Sequence, residues 1–172
     1  MSIRKISIMS ILTAGAIIIS IIESFIPSFG IPGIKLGLAN IIILIVLYEL
    51  GVGEAIFVNL ARVFLTGLLR GTILTMGFLM SLTGAIFSLG IMILFHLLIK
   101  KFSIIGISVL GAVFHVIGQI LIAMLYLQTA YIWFYLPIIG ISAVVTGVFV
   151  GIIAQLVIKT GVIRKQKEKY KF

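Results

Sequence analysis

Apolar stretches of about 20 residues recur from one end of this chain to the other, and that recurrence decides what it can fold into. As a helix rising about 1.5 Å per residue, each stretch is long enough to cross a hydrocarbon layer of roughly 30 Å. Of the 172 residues, 62% are hydrophobic and 10% charged, with a mean hydropathy of +1.40. That leaves too little polar surface to clothe a soluble core, so the chain reads as an integral membrane protein. No stretch shows the short alternating pattern of a barrel strand. An unpaired amide in lipid has no water to bond, so the stretches read as helices.

Six transmembrane helices are expected, over about 6–26, 35–50, 53–70, 73–98, 104–127 and 136–158. The fourth is longer than one crossing needs and is expected to tilt or break near Gly77 or Gly84. The basic start and apolar run of "MSIRKISIMSILTAGAIIIS" resemble a secretory signal. The run continues to about Ile26 without a clear cleavage site, so it reads as a retained first helix. One domain, 1–172, is expected, ending in a short basic tail over about 159–172 that is attracted to the lipid bilayer.

The net charge of +9 bears on orientation rather than on nucleic acid. With six crossings, Arg4, Lys5, Lys100, Lys101, Lys159, Arg164, Lys165, Lys167, Lys169 and Lys171 fall on one side, and only Lys35 and Arg70 on the other. That bias predicts both termini in the cytoplasm and a multi-pass protein of the cell membrane. On the outer side, Tyr131, Trp133 and Tyr135 suit the headgroup level.

Several chemistries lack their residues. The chain has no cysteine, and His96 and His115 stand on different segments, so no metal site is expected. It has no aspartate, and its four glutamates are scattered, so a magnesium-binding carboxylate cluster is not expected. No phosphate-binding loop of the nucleotide-hydrolase type and no nucleophile with an adjacent base can be found. The expectation is a protein without catalytic residues or cofactor.

The informative residues are the polar ones within the spans, because each is costly in lipid unless it pairs or faces a cavity. Glu23, Lys35, Asn40, Arg62, Arg70, His115 and Gln119 all fall at the midplane or in the outer half, with Asn59 almost one turn from Arg62. A shared depth is what a solute site open to the outside would show; a polar network without a ligand would show it too. Three cations stand against one carboxylate, which favours an anionic head on the solute. Glu23 is expected to orient one of the cations. Glu49 and Glu54 fall near the cytoplasmic turn "YELGVGEA". Small residues at Ser7, Ser10 and Ala14, on the opposite face at Ala16 and Ser20, and at Gly147 and Gly151 would let helices approach closely, within the bundle or against a partner.

The segments "PGIKLGLANI", "NLARVFLTGLLRG", "FLMSLTGAIFS" and "GAVFHVIGQILIA" resemble the Gx transporter family, whose members are labelled heptaprenyl diphosphate synthase component I. The likeness runs over roughly residues 10–155, with Val116 where an asparagine is expected. That family is similar in turn to the S components of energy-coupling-factor (ECF) transporters. The resemblance implies a six-helix bundle that binds a scarce solute and docks on a shared transmembrane subunit driven by two ATPases. It implies a gate in "PSFGIPGIK", with Pro32 and Gly33, and docking through Ser7, Ser10 and Ala14. An isoprenoid or quinone precursor, or a vitamin-like compound, would be the cargo. The alternative it carries is a membrane subunit assisting heptaprenyl diphosphate synthase in polyprenyl side-chain synthesis.

Overall fold

The computed structural model describes residues 3–25, 35–99, 102–161 and 163. Six α-helices follow in order: α1 (Ile3–Glu23), α2 (Asn40–Glu49), α3 (Val52–Leu69), α4 (Met76–Leu98), α5 (Ile104–Leu127) and α6 (Leu136–Thr160). A short 3₁₀ helix, Ala130–Tyr135, precedes α6, and no strand occurs among the described residues. Local chemistry sets several ends. Thr75 and Ser103 accept hydrogen bonds from Phe78 N and Gly106 N, capping α4 and α5. Gly161, at φ +61°, closes α6 in the left-handed conformation that glycine adopts freely.

Five helical segments are long and apolar enough to cross a membrane, with large apolar side chains such as Ile11, Leu69, Leu98, Leu125 and Phe149 exposed on them. This is the pattern of a multi-pass membrane protein. The expected second span is corrected. Instead of starting at Lys35, α2 starts at Asn40 and has 10 residues, about 15 Å or half a bilayer core. Gly37, at φ +82°, breaks the helical path, and residues 35–39 run outside the helix. The expected break in the fourth helix is corrected as well: α4 starts at Met76 and passes Gly84 without interruption.

α2 sits at the centre. Ile43, Leu44, Ile45, Val46 and Leu47 are five consecutive buried residues, so this helix is enclosed on every side. They share a core with Met9 of α1, Val58 of α3, Met92 of α4, Ile107 of α5 and Val150 of α6. The Tyr48 ring meets His96 edge-on at 4.5 Å, and Asn40 bonds Ser88, so α2 occupies the depth between the middle and the far end of α4.

The helices that flank this plug pack closely where glycines allow it. A Cβ on Gly147 would lie 2.8 Å from Val109 Cα, and one on Gly151 2.7 Å from Ile105 Cα, so this stripe on α6 serves the α5 contact. On α1 the two faces separate: Ala16 and Ser20 are buried, while Ser7, Ser10 and Ala14 are exposed. α1 and α3 run in parallel, since Lys5 pairs with Glu54 at one end and Arg62 bonds Ser20 towards the other. The connection after α5 exposes Tyr131, Trp133 and Tyr135.

Candidate functional site

Beyond the N-terminal end of α2, a cavity of about 230 Å³ opens between α1, α3 and α4. α3 supplies its charged wall because Asn59, Arg62, Thr66 and Arg70 recur at three- and four-residue spacing and so share one face. Arg62 is only 5% exposed. Its Nη2 donates to Asn59 Oδ1 at 2.8 Å and its Nη1 to Ser20 Oγ at 3.4 Å, while Asn59 Nδ2 donates to Ala85 O at 3.0 Å. The guanidinium is therefore tied to α1 and, through Asn59, to α4. Arg62 Nε has no hydrogen-bond partner, and neither does the buried hydroxyl of Thr66, one turn further on. Arg70 lines the same cavity from an exposed position at its rim.

Residues 35–39 close the cavity on another side. Glu23, the last residue of α1, accepts hydrogen bonds from the amides of Gly37 and Leu38. Lys35 N donates to Gln119 Oε1 at 3.0 Å, and the Gln119 amide lies 2.8 Å from His115 Nε2. Gly37 fits here because a Cβ would come within 3.0 Å of the Asn40 amide and 3.5 Å of the His115 ring. Burial pushes the Lys35 ammonium down to about 8; Glu23 works against that shift, and Arg62 and Arg70 add to it.

Glu23, Lys35, Arg62, Arg70 and His115 thus line one cavity. Asn40 and Gln119 stand behind it. Asn40 donates to Ser88 Oγ at 3.0 Å, and Gln119 holds the 35–39 segment and the His115 ring. The expectation that Glu23 orients a cation is refined, since its carboxylate oxygen is taken by backbone amides while Lys35 and Arg62 supply its electrostatic neighbours. Pro32 and Gly33 lie outside the described residues. Ser10 and Ala14, with Met9, Phe57 and Leu65, line a separate apolar groove between α1 and α3; Ser7 is exposed beyond it.

The sequence reading overlooked the hydroxyls of this wall: Ser20, Ser24, Thr66, Thr72, Thr75 and Ser81. Thr66 carried the clearest signal, standing four residues after Arg62 and four before Arg70.

The family model described as heptaprenyl diphosphate synthase component I matches residues 12–157. The chain belongs to this family. No curated protein and no solved structure matches it. The span matched to heptaprenyl diphosphate synthase component I takes in every residue that lines the cavity, together with the 35–39 segment.

Proposed function

We propose that this member of the family is the solute-binding membrane subunit of an ATP-driven importer of the ECF type, with a small anionic solute as its cargo. The observation that carries the proposal is the buried guanidinium of Arg62, which lines a polar cavity together with Lys35 and Arg70. A buried positive charge is costly, and an incoming anion offsets that cost. Three cations surround the cavity against one carboxylate that backbone amides already engage. At about 30 Å³ per water-sized group, 230 Å³ holds about eight such groups, the size of a small solute or of a polar head.

The importer reading gives each other part of the molecule a role. Both termini face the cytoplasm, the cavity faces outward, and the segment "PSFGIPGIK", with Pro32 and Gly33, gates it. The exposed face of α1 bearing Ser7, Ser10 and Ala14 docks on the coupling transmembrane subunit, which two ATPases drive. Solubilising the protein gently from its own host and recording its partners by native mass spectrometry tests this reading. ATPases and a membrane partner are expected, with a small metabolite retained.

The family's description favours a second reading, a membrane subunit that assists heptaprenyl diphosphate synthase. The cavity is far smaller than a heptaprenyl chain, so in that role it would hold the diphosphate head while the chain lay elsewhere. A soluble synthase recovered without ATPases would decide for it.

A further inference from the structure

The hydroxyls around the cavity differ in what they have left to give. A serine or threonine hydroxyl has one proton and two lone pairs. Ser24 spends that proton on Ile21 O at 2.6 Å, Thr75 on Thr72 O at 2.7 Å and Ser81 on Gly77 O at 2.8 Å. Each of these residues lines the cavity, and what each hydroxyl retains for an occupant is a lone pair, even in Thr75, which also accepts from Phe78 N. Glu23 is an acceptor as well. It meets the Gly37 and Leu38 amides through Oε1, and its Oε2 has no hydrogen-bond partner among the described residues.

The cavity is therefore two-sided. The end of α1 and the start of α4 bring acceptors, whereas α3 and residues 35–39 bring the cationic donors Arg62, Arg70 and Lys35. An occupant made only of acceptor atoms would satisfy the cationic side and set its remaining oxygens against lone pairs on the other. A molecule with an anionic group at one end and O–H or N–H groups beside it satisfies both sides. A space of about 230 Å³ limits the size of that molecule. A carboxylate suits guanidinium groups and takes less of the space than a tetrahedral oxyanion, leaving the larger part for a body that carries donors.

Resting on the solute-site reading above, we infer that the cargo is a small carboxylic acid bearing hydrogen-bond donors, a hydroxy acid or an amino acid. Its carboxylate meets Lys35, Arg62 and Arg70. Its O–H or N–H groups donate to Glu23 Oε2 and to the hydroxyls at the ends of α1 and α4. Glu23 is the specificity-determining residue, because it is the charged member of the acceptor side.

The test uses the full chain in nanodiscs and reads binding by calorimetry for acids that share one carbon skeleton: succinate, which has no donor, malate, which adds a hydroxyl, and aspartate, which adds an ammonium. Malate or aspartate should bind about tenfold more tightly than succinate, since a site built to hydrogen-bond a solute O–H or N–H rejects the analogue lacking it. Malate ahead of aspartate would assign a hydroxy acid, and the reverse an amino acid. Glu23→Gln keeps an acceptor for the two amides and turns Oε2 into an amide donor, so the preference over succinate should shrink about tenfold. Ser81→Ala should shrink it less. Succinate binding in each variant verifies that it has folded.

Succinate binding as tightly as the other acids, and weakened by Arg62→Lys, would overturn the donor-bearing class and leave the solute site standing. If none of these acids binds, the metabolite retained in native mass spectrometry decides: a carboxylic acid with O–H or N–H donors upholds the class, and a molecule lacking either feature overturns it. No bound acid and no retained metabolite would overturn the site itself.

Discussion

Asn59 holds Arg62: its side-chain oxygen accepts from Arg62 Nη2 at 2.8 Å while its amide donates to Ala85 O of the neighbouring helix at 3.0 Å. The guanidinium is thus fixed relative to α4 although it belongs to α3. Asn59→Leu keeps the bulk and removes both bonds. The expected outcome is a loss of about 1–3 kcal/mol of stability, because the Arg62 donor and the Ala85 carbonyl lose their buried partner. Ligand affinity should fall as well, since Arg62 would no longer be held in place. Thermal unfolding in detergent and a binding titration would measure the two effects.

Glu23 gives a second prediction, because one carboxylate satisfies the amides of both Gly37 and Leu38. Glu23→Ala strands the buried Gly37 donor, at about 1–3 kcal/mol, and the partly buried Leu38 donor at less, whereas Glu23→Gln keeps an acceptor and should cost less. Hydrogen exchange at the Gly37 and Leu38 amides should accelerate in the alanine variant and change little in the glutamine one. Equal exchange in all three proteins would exclude the carboxylate as their partner.

Lys35 sets a pH dependence. Burial lowers its ammonium to about 8, so this group is charged below that value and loses its proton above it. An anion favours the charged form, so affinity should be highest below pH 8, decline as pH rises through about 8, and be accompanied there by proton uptake on binding. Without ligand the sign reverses: the unfolded chain, with an ordinary lysine, binds more protons above pH 8, so stability should rise with pH from there towards the ordinary lysine range. Lys35→Met should flatten both curves.

The glycines of α6 and α4 predict a contrast in packing. A Cβ at Gly147 would sit 2.8 Å from Val109 Cα, and one at Gly84 2.9 Å from the His115 carbonyl, both backbone atoms that cannot swing aside. Gly147→Ala and Gly84→Ala should each destabilise the bundle by about 1–3 kcal/mol. Gly90→Ala and Gly140→Ala, where nothing lies within 4 Å, should leave stability unchanged or improve it. Melting temperatures of the four variants in one detergent would check the contrast.

The long helices were legible because lipid demands an unbroken apolar run, and α1, α3, α4, α5 and α6 each supply one. α2 was misjudged for a reason that lies in Gly37. The stretch "KLGLANIIILIVLYEL" contains no proline or charge cluster to stop a helix, and only the positive φ at Gly37 shows that the first five residues leave the helical path. At the site, charge was the readable signal: an ionisable residue within a span must face something polar, which singled out Glu23, Arg62 and His115. The serines and threonines were not readable in that way. A hydroxyl in a membrane helix can return its bond to the carbonyl one turn back, as Thr13 does to Met9 O at 2.7 Å. Thr66 differs only because its hydroxyl has no such partner, and sequence does not display that. The i, i+4 spacing placed His115 and Gln119 one turn apart, but neither their bond nor the hold of the amide's other end on the 35–39 segment was readable.

The shortness of α2 has an electrical consequence. A membrane potential falls across material of low dielectric constant and hardly at all along a polar recess. With only about 15 Å of helix in its column and a polar cavity above it, most of the voltage in that column drops across the apolar layer of Ile43 to Leu47. An ion that travels from Arg70 at the rim to Arg62 therefore crosses little of the field. The work of about 2.3 kcal/mol per elementary charge per 100 mV is concentrated on any later movement past α2.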